Sequence, residues 1–184
     1  SDARWNLVEQ GWAMGVSRNL IAVEYDRDSQ QLFSRQDQRR ITITSCRDSL
    51  NGYQKGHCFY CYAPISVVSG EDTLADVDHF IPWKARGAVS NLNGVWNLVL
   101  ACPCCNRGEQ GKFARLPSAK LLQRLHNRNE YFINSHLPLR ETLIRQTGKT
   151  AAARGNFLSQ RWNAAKTNVL FHLWEPPAAG PERF

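Results

Sequence analysis

The chain has 184 residues, 42% hydrophobic and 21% charged, which excludes a disordered or collagen-like protein. At this length one domain, with or without a helical extension, can bury its core without disulfide staples. The longest apolar stretches, such as that from Leu98 to Ala101, fall far short of the roughly 20 residues of a membrane span. No secretory leader is visible at the start, so no membrane partner and a cytoplasmic location are expected. The net charge of +7 is unevenly spread: residues 1–106 carry 10 basic and 11 acidic side chains, residues 107–184 carry 13 and 5. Such asymmetry favours a polyanionic partner, against the plainer reading of a solvated helix face. The chain opens Ser-Asp-Ala without Met and is read as a possible fragment of a longer protein, with an upstream domain or partner subunit elsewhere.

In chain order, residues 3–20 read as an amphipathic helix with Trp5, Leu7, Val8 and Trp12 at helical spacing. The β-branched runs 21–25 and 41–44 read as strands separated by a polar stretch, and a short helix is expected near Asp48–Gln54. Residues 65–68 are expected as a strand, 74–82 as an extended segment, 84–96 as a loop and 97–101 as a strand. From Pro117 the pattern turns helical, with Ser118 as N-cap and Leu121, Leu122, Leu125 and Phe132 on one face. A second helix opens at Pro138 and stops near Gly148; a third is marked by Leu158, Trp162, Ala165 and Val169. The proline-bearing tail 175–184 is expected to be flexible. Gly148-Lys149-Thr150 resembles the end of a phosphate-binding loop, but Leu143 stands where its first glycine would be.

Six cysteines lie at 46, 58, 61, 102, 104 and 105. Cys58-Phe-Tyr-Cys61 and Cys102-Pro-Cys-Cys105 make two C-x-x-C pairs with 40 residues between them. That spacing lets four thiolates close a tetrahedral shell around Zn²⁺, a structural site with no position left for substrate. Its work would be to tie the chain near residue 60 to the chain near residue 103. Cys46 and Cys104 are left over and are read as buried thiols.

Between the pairs lies Asp76-Val-Asp-His-Phe-Ile-Pro-Trp83; the second pair is embedded in Asn97-Leu-Val-Leu-Ala-Cys-Pro-Cys-Cys-Asn106, and Lys112 comes after it. Taken singly, Asp78 reads as a turn residue, His79 as a core histidine, and Asn97 and Asn106 as a strand start and a helix cap. Taken together, Asp78-His79, Asn97 and Asn106 bracketed by the cysteine pairs resemble the His-Asn-His (HNH) nucleases. The likeness is to the ββα-metal fold, in the subclass with Asn in the third position and a four-cysteine zinc, and spans about residues 54–113. It implies His79 as general base, suited by an unperturbed pKa near 6.5. It implies Asp78 and Asn106 as oxygen ligands of a catalytic Mg²⁺ or Mn²⁺, and Asn97 as the amide that holds the loop presenting His79. Products would carry 5′-phosphate and 3′-hydroxyl ends.

The expected architecture is therefore α+β. An N-terminal helix and strand segment (1–53) packs on an HNH core (54–116), succeeded by a basic helical extension (117–174) and the tail (175–184). Lys120, Arg124 and Arg128 recur every four residues and would present one basic helix face to duplex DNA, with Arg107 and Lys112 as weaker phosphate contacts. The expected function is a metal-dependent DNA endonuclease of bacterial restriction or anti-phage defence. The competing readings are a non-catalytic zinc module that binds nucleic acid, and a nuclease acting on RNA.

Overall fold

The computed structural model describes residues 23–36, 39–135, 138–168 and 172–184. The helix expected over 3–20, the first two residues of the strand expected over 21–25, and Val169 lie outside them. Three strands come first: β1 (Val23–Asp26), β2 (Gln31–Gln36) and β3 (Arg39–Ser45) form an antiparallel sheet in the order β1-β2-β3. The β1–β2 turn is closed by Asp26, whose carboxylate accepts from the Asp28 amide at 3.0 Å and the Ser29 hydroxyl at 2.9 Å. This is the local bonding that makes Asp a turn former. The central strand β2 occupies the segment read as merely polar: backbone pairing to both neighbours builds it, with a register shift at Leu32/Phe33, and no apolar alternation announces it.

Helix α1 (Cys46–Gln54) begins where β3 ends. It stops where Lys55 and Gly56 take positive φ of 49° and 80°, a reversal that sends the chain into the first cysteine pair. Gln54, fully buried, stitches α1 to the segment that precedes the second cysteine pair: its amide accepts from the Leu100 N–H at 2.9 Å and donates to the Leu100 carbonyl at 2.7 Å. Residues 65–68 are not a strand. Gly70, at φ 91°, turns the chain back so that only an isolated Ser66–Leu74 bridge forms, and Val68 stays exposed.

Strands β4 (Asp76–His79) and β5 (Leu98–Ala101) pair antiparallel, with Asp76 opposite Ala101 and His79 opposite Leu98. The connection between them holds 3₁₀ turns at Trp83–Gly87 and Val95–Asn97. Helix α2 (Pro103–Arg107) leaves β5 at once, with Cys102 as its N-cap and proline in its first turn. β4, β5 and α2 thus supply the expected ββα order. All four β5 residues are buried, the mark of a strand covered on both faces.

Helices α3 (Ala119–Asn134), α4 (Pro138–Thr147) and α5 (Ala151–Thr167) complete the chain's regular structure and pack on one another. Leu121, Leu125 and Phe132 of α3 are buried, as are Leu158, Trp162 and Ala165 of α5. Ser118 is the α3 N-cap residue, but its hydroxyl makes no capping bond. Thr150 caps α5 by accepting from Ala153 N–H, so the Gly-Lys-Thr triplet is a helix start. Residues 175–184 have no helix or strand, yet differ from the flexible tail expected. Just ahead of them Trp174 bridges to Pro117, Gly180 N–H donates to the Cys61 carbonyl at 2.9 Å, and Phe184 packs 4.8 Å from Tyr53 and 4.9 Å from Tyr62.

Candidate functional site

The two C-x-x-C segments meet. The first folds as a tight turn: Cys58 N–H donates to the Ala63 carbonyl at 2.8 Å and Tyr62 N–H to the Cys58 carbonyl at 3.0 Å. Tyr62 takes a positive φ of 64°. The second is the β5–α2 junction. The sulfurs of Cys58, Cys61, Cys102 and Cys105 lie within 4.8 Å of one another, all four residues buried. Thiolates about 2.3 Å from one tetrahedral ion sit about 3.8 Å apart, and the Cys61 and Cys102 sulfurs are 3.8 Å apart. Backbone amides already point at sulfur, Cys102 N–H to Cys58 at 3.3 Å and Cys105 N–H to Cys102 at 3.4 Å. Hydrogen bonding within the cluster, from Cys105 first, lowers the Cys102 thiol to about 7. The donor set is compatible with a structural zinc. Of the two remaining cysteines, Cys46 is buried, its thiol pushed up to about 12 by burial, whereas Cys104 is exposed on α2 against expectation. Alternation around a one-turn helix explains this: Cys102 and Cys105 face the cluster and Cys104 points away.

His79 sits at the end of β4, fixed from several sides. Asn97, fully buried at the entry to β5, accepts from the Ile81 N–H at 2.7 Å and donates to the carbonyls of Ile81 and Leu92 at 3.0 Å each. Phe80 N–H donates to the Asn97 carbonyl at 2.7 Å, and Lys112 Nζ donates to the His79 carbonyl at 2.9 Å. The imidazole Nε2 lies 2.8 Å from Asn93 Oδ1. An oxygen there assigns the hydrogen to Nε2 and leaves the Nδ1 lone pair free. Tyr25 and Trp83 flank the ring, with centroids at 6.3 and 5.6 Å. Burial, the largest influence, lowers the His79 pKa below 6.5, opposed by the Asn93 bond and the Asp78 charge. The ring is therefore neutral at pH 7. Asn93 went unnoticed in the sequence, since Asn91–Gly94 signals only a loop.

Asp76 and Asp78 lie two apart on β4, on the face opposite His79, and have different partners. Asp78 is buried: Tyr60 Oη donates to it at 2.6 Å, and Lys112 Nζ lies 3.2 Å from Oδ2 and 3.3 Å from Oδ1. The side chain that meets Asn106 is Asp76, whose Oδ2 accepts from Asn106 Nδ2 at 3.0 Å and Arg107 Nε at 2.9 Å. Asn106 is placed by the sulfur cluster next to it, through Asn106 N–H to the Cys102 carbonyl at 3.0 Å. Burial raises the Tyr60 phenol well above 10, reinforced by Asp78, so Tyr60 remains a neutral donor.

The expected phosphate contacts are mostly engaged elsewhere. Lys112 is fully buried against Asp78 and backbone carbonyls, and burial lowers its pKa. It is not a surface cation. Arg128 is fully buried, donating to the carbonyls of Leu98 at 2.6 Å, Val95 at 3.1 Å and Trp96 at 3.2 Å. Burial lowers its pKa to about 10, leaving it charged at pH 7. Arg124 donates to the carbonyls of Phe59 (2.5 Å) and Tyr60 (2.9 Å) and stacks 4.3 Å over Tyr62. Of that helical triplet only Lys120 is exposed. Arg107 is exposed but paired with Asp76. Fourfold spacing reads as one solvated face, whereas beyond Lys120 that face of α3 is covered by the first cysteine turn and by the Val95–Leu98 segment.

No helix among the described residues is long and apolar enough to cross a membrane. Neither a curated protein nor a solved structure shows a significant match to the chain. A protein-family model does match: that of the HNH endonucleases, over residues 58–112. The span opens on the first cysteine of the sulfur cluster and closes on the lysine that bonds both Asp78 and the His79 carbonyl, so residues 58–112 are an HNH domain, in the subclass that carries a four-cysteine cluster.

Proposed function

We propose that this protein is a metal-dependent endonuclease that hydrolyses DNA phosphodiester bonds, acting in bacterial restriction or anti-phage defence. The observation that carries the reading is the placement of His79 inside the matched HNH span: a half-buried imidazole with Nε2 2.8 Å from Asn93 Oδ1, at the end of a strand paired with the one that leads into the sulfur cluster. His79 is the general base, taking a proton from the attacking water at Nδ1. Lys112 holds the backbone at His79 itself and Asn97 holds it two residues on, at Ile81, which positions the ring at the strand end.

Oxygen donors for a hard divalent cation, Mg²⁺ or Mn²⁺, come from Asn106, Asp76 and Asp78. The Asn106 oxygen is uncommitted while its nitrogen bonds Asp76. Asp78 accepts from Tyr60 at 2.6 Å and lies 3.2 Å from Lys112 Nζ, and each of its oxygens keeps a further lone pair for a cation. When bound, the ion would stabilise negative charge on the phosphoryl and leaving oxygens. The four cysteines would hold a Zn²⁺ whose part is to keep Asn106 opposite β4, with no role in hydrolysis.

The test is incubation of plasmid DNA and of RNA with the protein and Mg²⁺ or Mn²⁺, alongside His79→Ala. DNA cleavage leaving 5′-phosphates, reduced at least about 100-fold by the substitution, is expected. Equal cleavage by both proteins would remove His79 from the mechanism, and DNA binding without cleavage would leave a zinc module that only binds.

A further inference from the structure

With the arginines of α3 bonded to backbone carbonyls, the cations that meet solvent near His79 lie elsewhere. Arg27 belongs to the β1–β2 turn, Lys84 and Arg86 to the 3₁₀ turn after β4; all three are exposed. The Arg27 guanidinium carbon sits 4.8 Å from the Trp83 ring centroid and that of Arg86 5.9 Å from it. Arg86 Nη1 also donates to the Trp83 carbonyl at 3.4 Å. The Trp83 ring is in turn 5.6 Å from the His79 ring. Neither arginine forms an ion pair with a carboxylate among the described residues. Both carboxylates next to Arg27 in sequence belong to the same turn: that of Asp26 accepts from the Asp28 N–H and the Ser29 hydroxyl, and Asp28 is exposed.

We propose that Arg27 and Arg86, held over Trp83, form a phosphate clamp that grips the nucleic-acid strand beside His79. The inference rests on the nuclease reading and adds to it the residues that seat the substrate. A guanidinium stacked on an indole loses part of its rotational freedom before ligand arrives, while its N–H edge stays free for bidentate bonding to a phosphodiester. Two such groups on one aromatic ring, itself 5.6 Å from the base, suit phosphates next to the one attacked. The contact is to backbone, so it positions the strand without reading sequence. It also gives the N-terminal sheet a function: its first turn completes the substrate cleft of the HNH domain.

The experiment measures binding of a labelled duplex oligonucleotide by fluorescence anisotropy, without divalent ion, to the full chain carrying His79→Ala, over a series of salt concentrations. Arg27→Gln with Arg86→Gln should weaken binding at least about tenfold near 0.1 M salt and lower the slope of log K against log salt by about 2, at roughly 0.9 per phosphate contact. Trp83→Leu should weaken binding several-fold with an unchanged slope, because both charges remain but lose their support. Both arginines are exposed, so their replacement leaves the core intact; far-UV circular dichroism checks this. An unchanged affinity and slope in the double variant would overturn the clamp, and so would a chain that binds no oligonucleotide. Cleavage by the wild-type chain is scored separately. A clamp variant that cleaves with unchanged KM leaves the nuclease standing and the clamp refuted; clamp-dependent binding with no wild-type cleavage does the reverse.

Discussion

Residues 107–184 hold 13 basic side chains against 5 acidic ones, and residues 1–106 hold 10 against 11, yet the exposed cations around Trp83 belong to the second, nearly neutral part. The helices that carry the excess use much of it internally. Arg128 and Arg124 cap carbonyls of the hairpin and the first cysteine turn; Arg154, almost buried, pairs with Glu130 at 2.6 Å. The β4–β5–α2 cradle has few cations of its own and is shaped by sulfur, amide and carboxylate. Net charge by segment therefore reports where arginines are needed to satisfy a fold as well as where a polyanion would bind. The two uses separate only when burial and partners are known.

The largest break in this contrast is removal of the sulfur cluster. The cluster ties the first cysteine turn to the β5–α2 junction, whereas Leu125, Phe132, Leu158 and Trp162 give the helices an apolar core of their own. Cys58→Ser, or a strong chelator, should cost several kcal/mol out of a total stability of about 5–15. Hydrogen exchange should speed up most at 58–62 and 102–106 and least in α5. Cys104→Ser, exposed and outside the cluster, is the control and should leave the melting temperature within about a degree, a surface change being worth no more than about 0.5 kcal/mol. Equal effects of the two substitutions would mean that the cysteines pack but bind no metal.

A smaller break tests the arginines. Arg128→Met keeps a long apolar stem but strips the charged donor from the Leu98 and Val95 carbonyls, while Trp96 retains a bond from Asn129 at 3.3 Å. The Val95 carbonyl still accepts from the Leu98 N–H, so one buried acceptor, that of Leu98, is left unpaired, which should cost about 1–3 kcal/mol in urea unfolding. Lys120→Gln, on the same helix and exposed, should cost nothing measurable. If Arg128→Met instead unfolds normally and weakens DNA binding, Arg128 belongs to the interface and the contrast between the two regions fails.

The parts legible in advance reflect how chemistry is written along the chain. The four-cysteine cluster and the HNH motif are set by ligand spacing and by a short β-hairpin within residues 58–112, so local sequence carries them. The same motif implied the ββα order. The partners of those residues were not legible. Asn93 and Lys112 reach the His79 side chain and carbonyl from 14 and 33 residues away, and Gln54 reaches Leu100 from 46 away, with no periodicity to mark them. Asp76 looks like a neighbour of the Asp-His pair until strand pairing sets it against Asn106. Periodicity located α3 correctly but could not say that most of its basic stripe would be covered, because covering is decided by the first cysteine turn and the Val95–Leu98 segment and not by the helix itself.

The finest test concerns Asn93, where the cradle adjusts a proton and not a fold. Asn93→Ala removes the acceptor at Nε2 and frees the ring to adopt either tautomer. kcat should drop about tenfold, a fraction of the roughly 10²–10⁴ that a positioned base contributes, with KM and melting temperature unchanged because the ring stays packed between Tyr25 and Trp83. Asn93→Asp separates positioning from packing. The active ring is neutral, and its pKa lies below 6.5 through burial, so wild-type activity should be lost only as pH falls through a value below 6.5. A carboxylate at 93 stabilises the imidazolium and raises that pKa. The acid limb of the rate profile should then move toward neutral pH while activity above pH 8 recovers. A limb that stays in place in both variants would show that some group other than His79 is the one whose deprotonation permits cleavage.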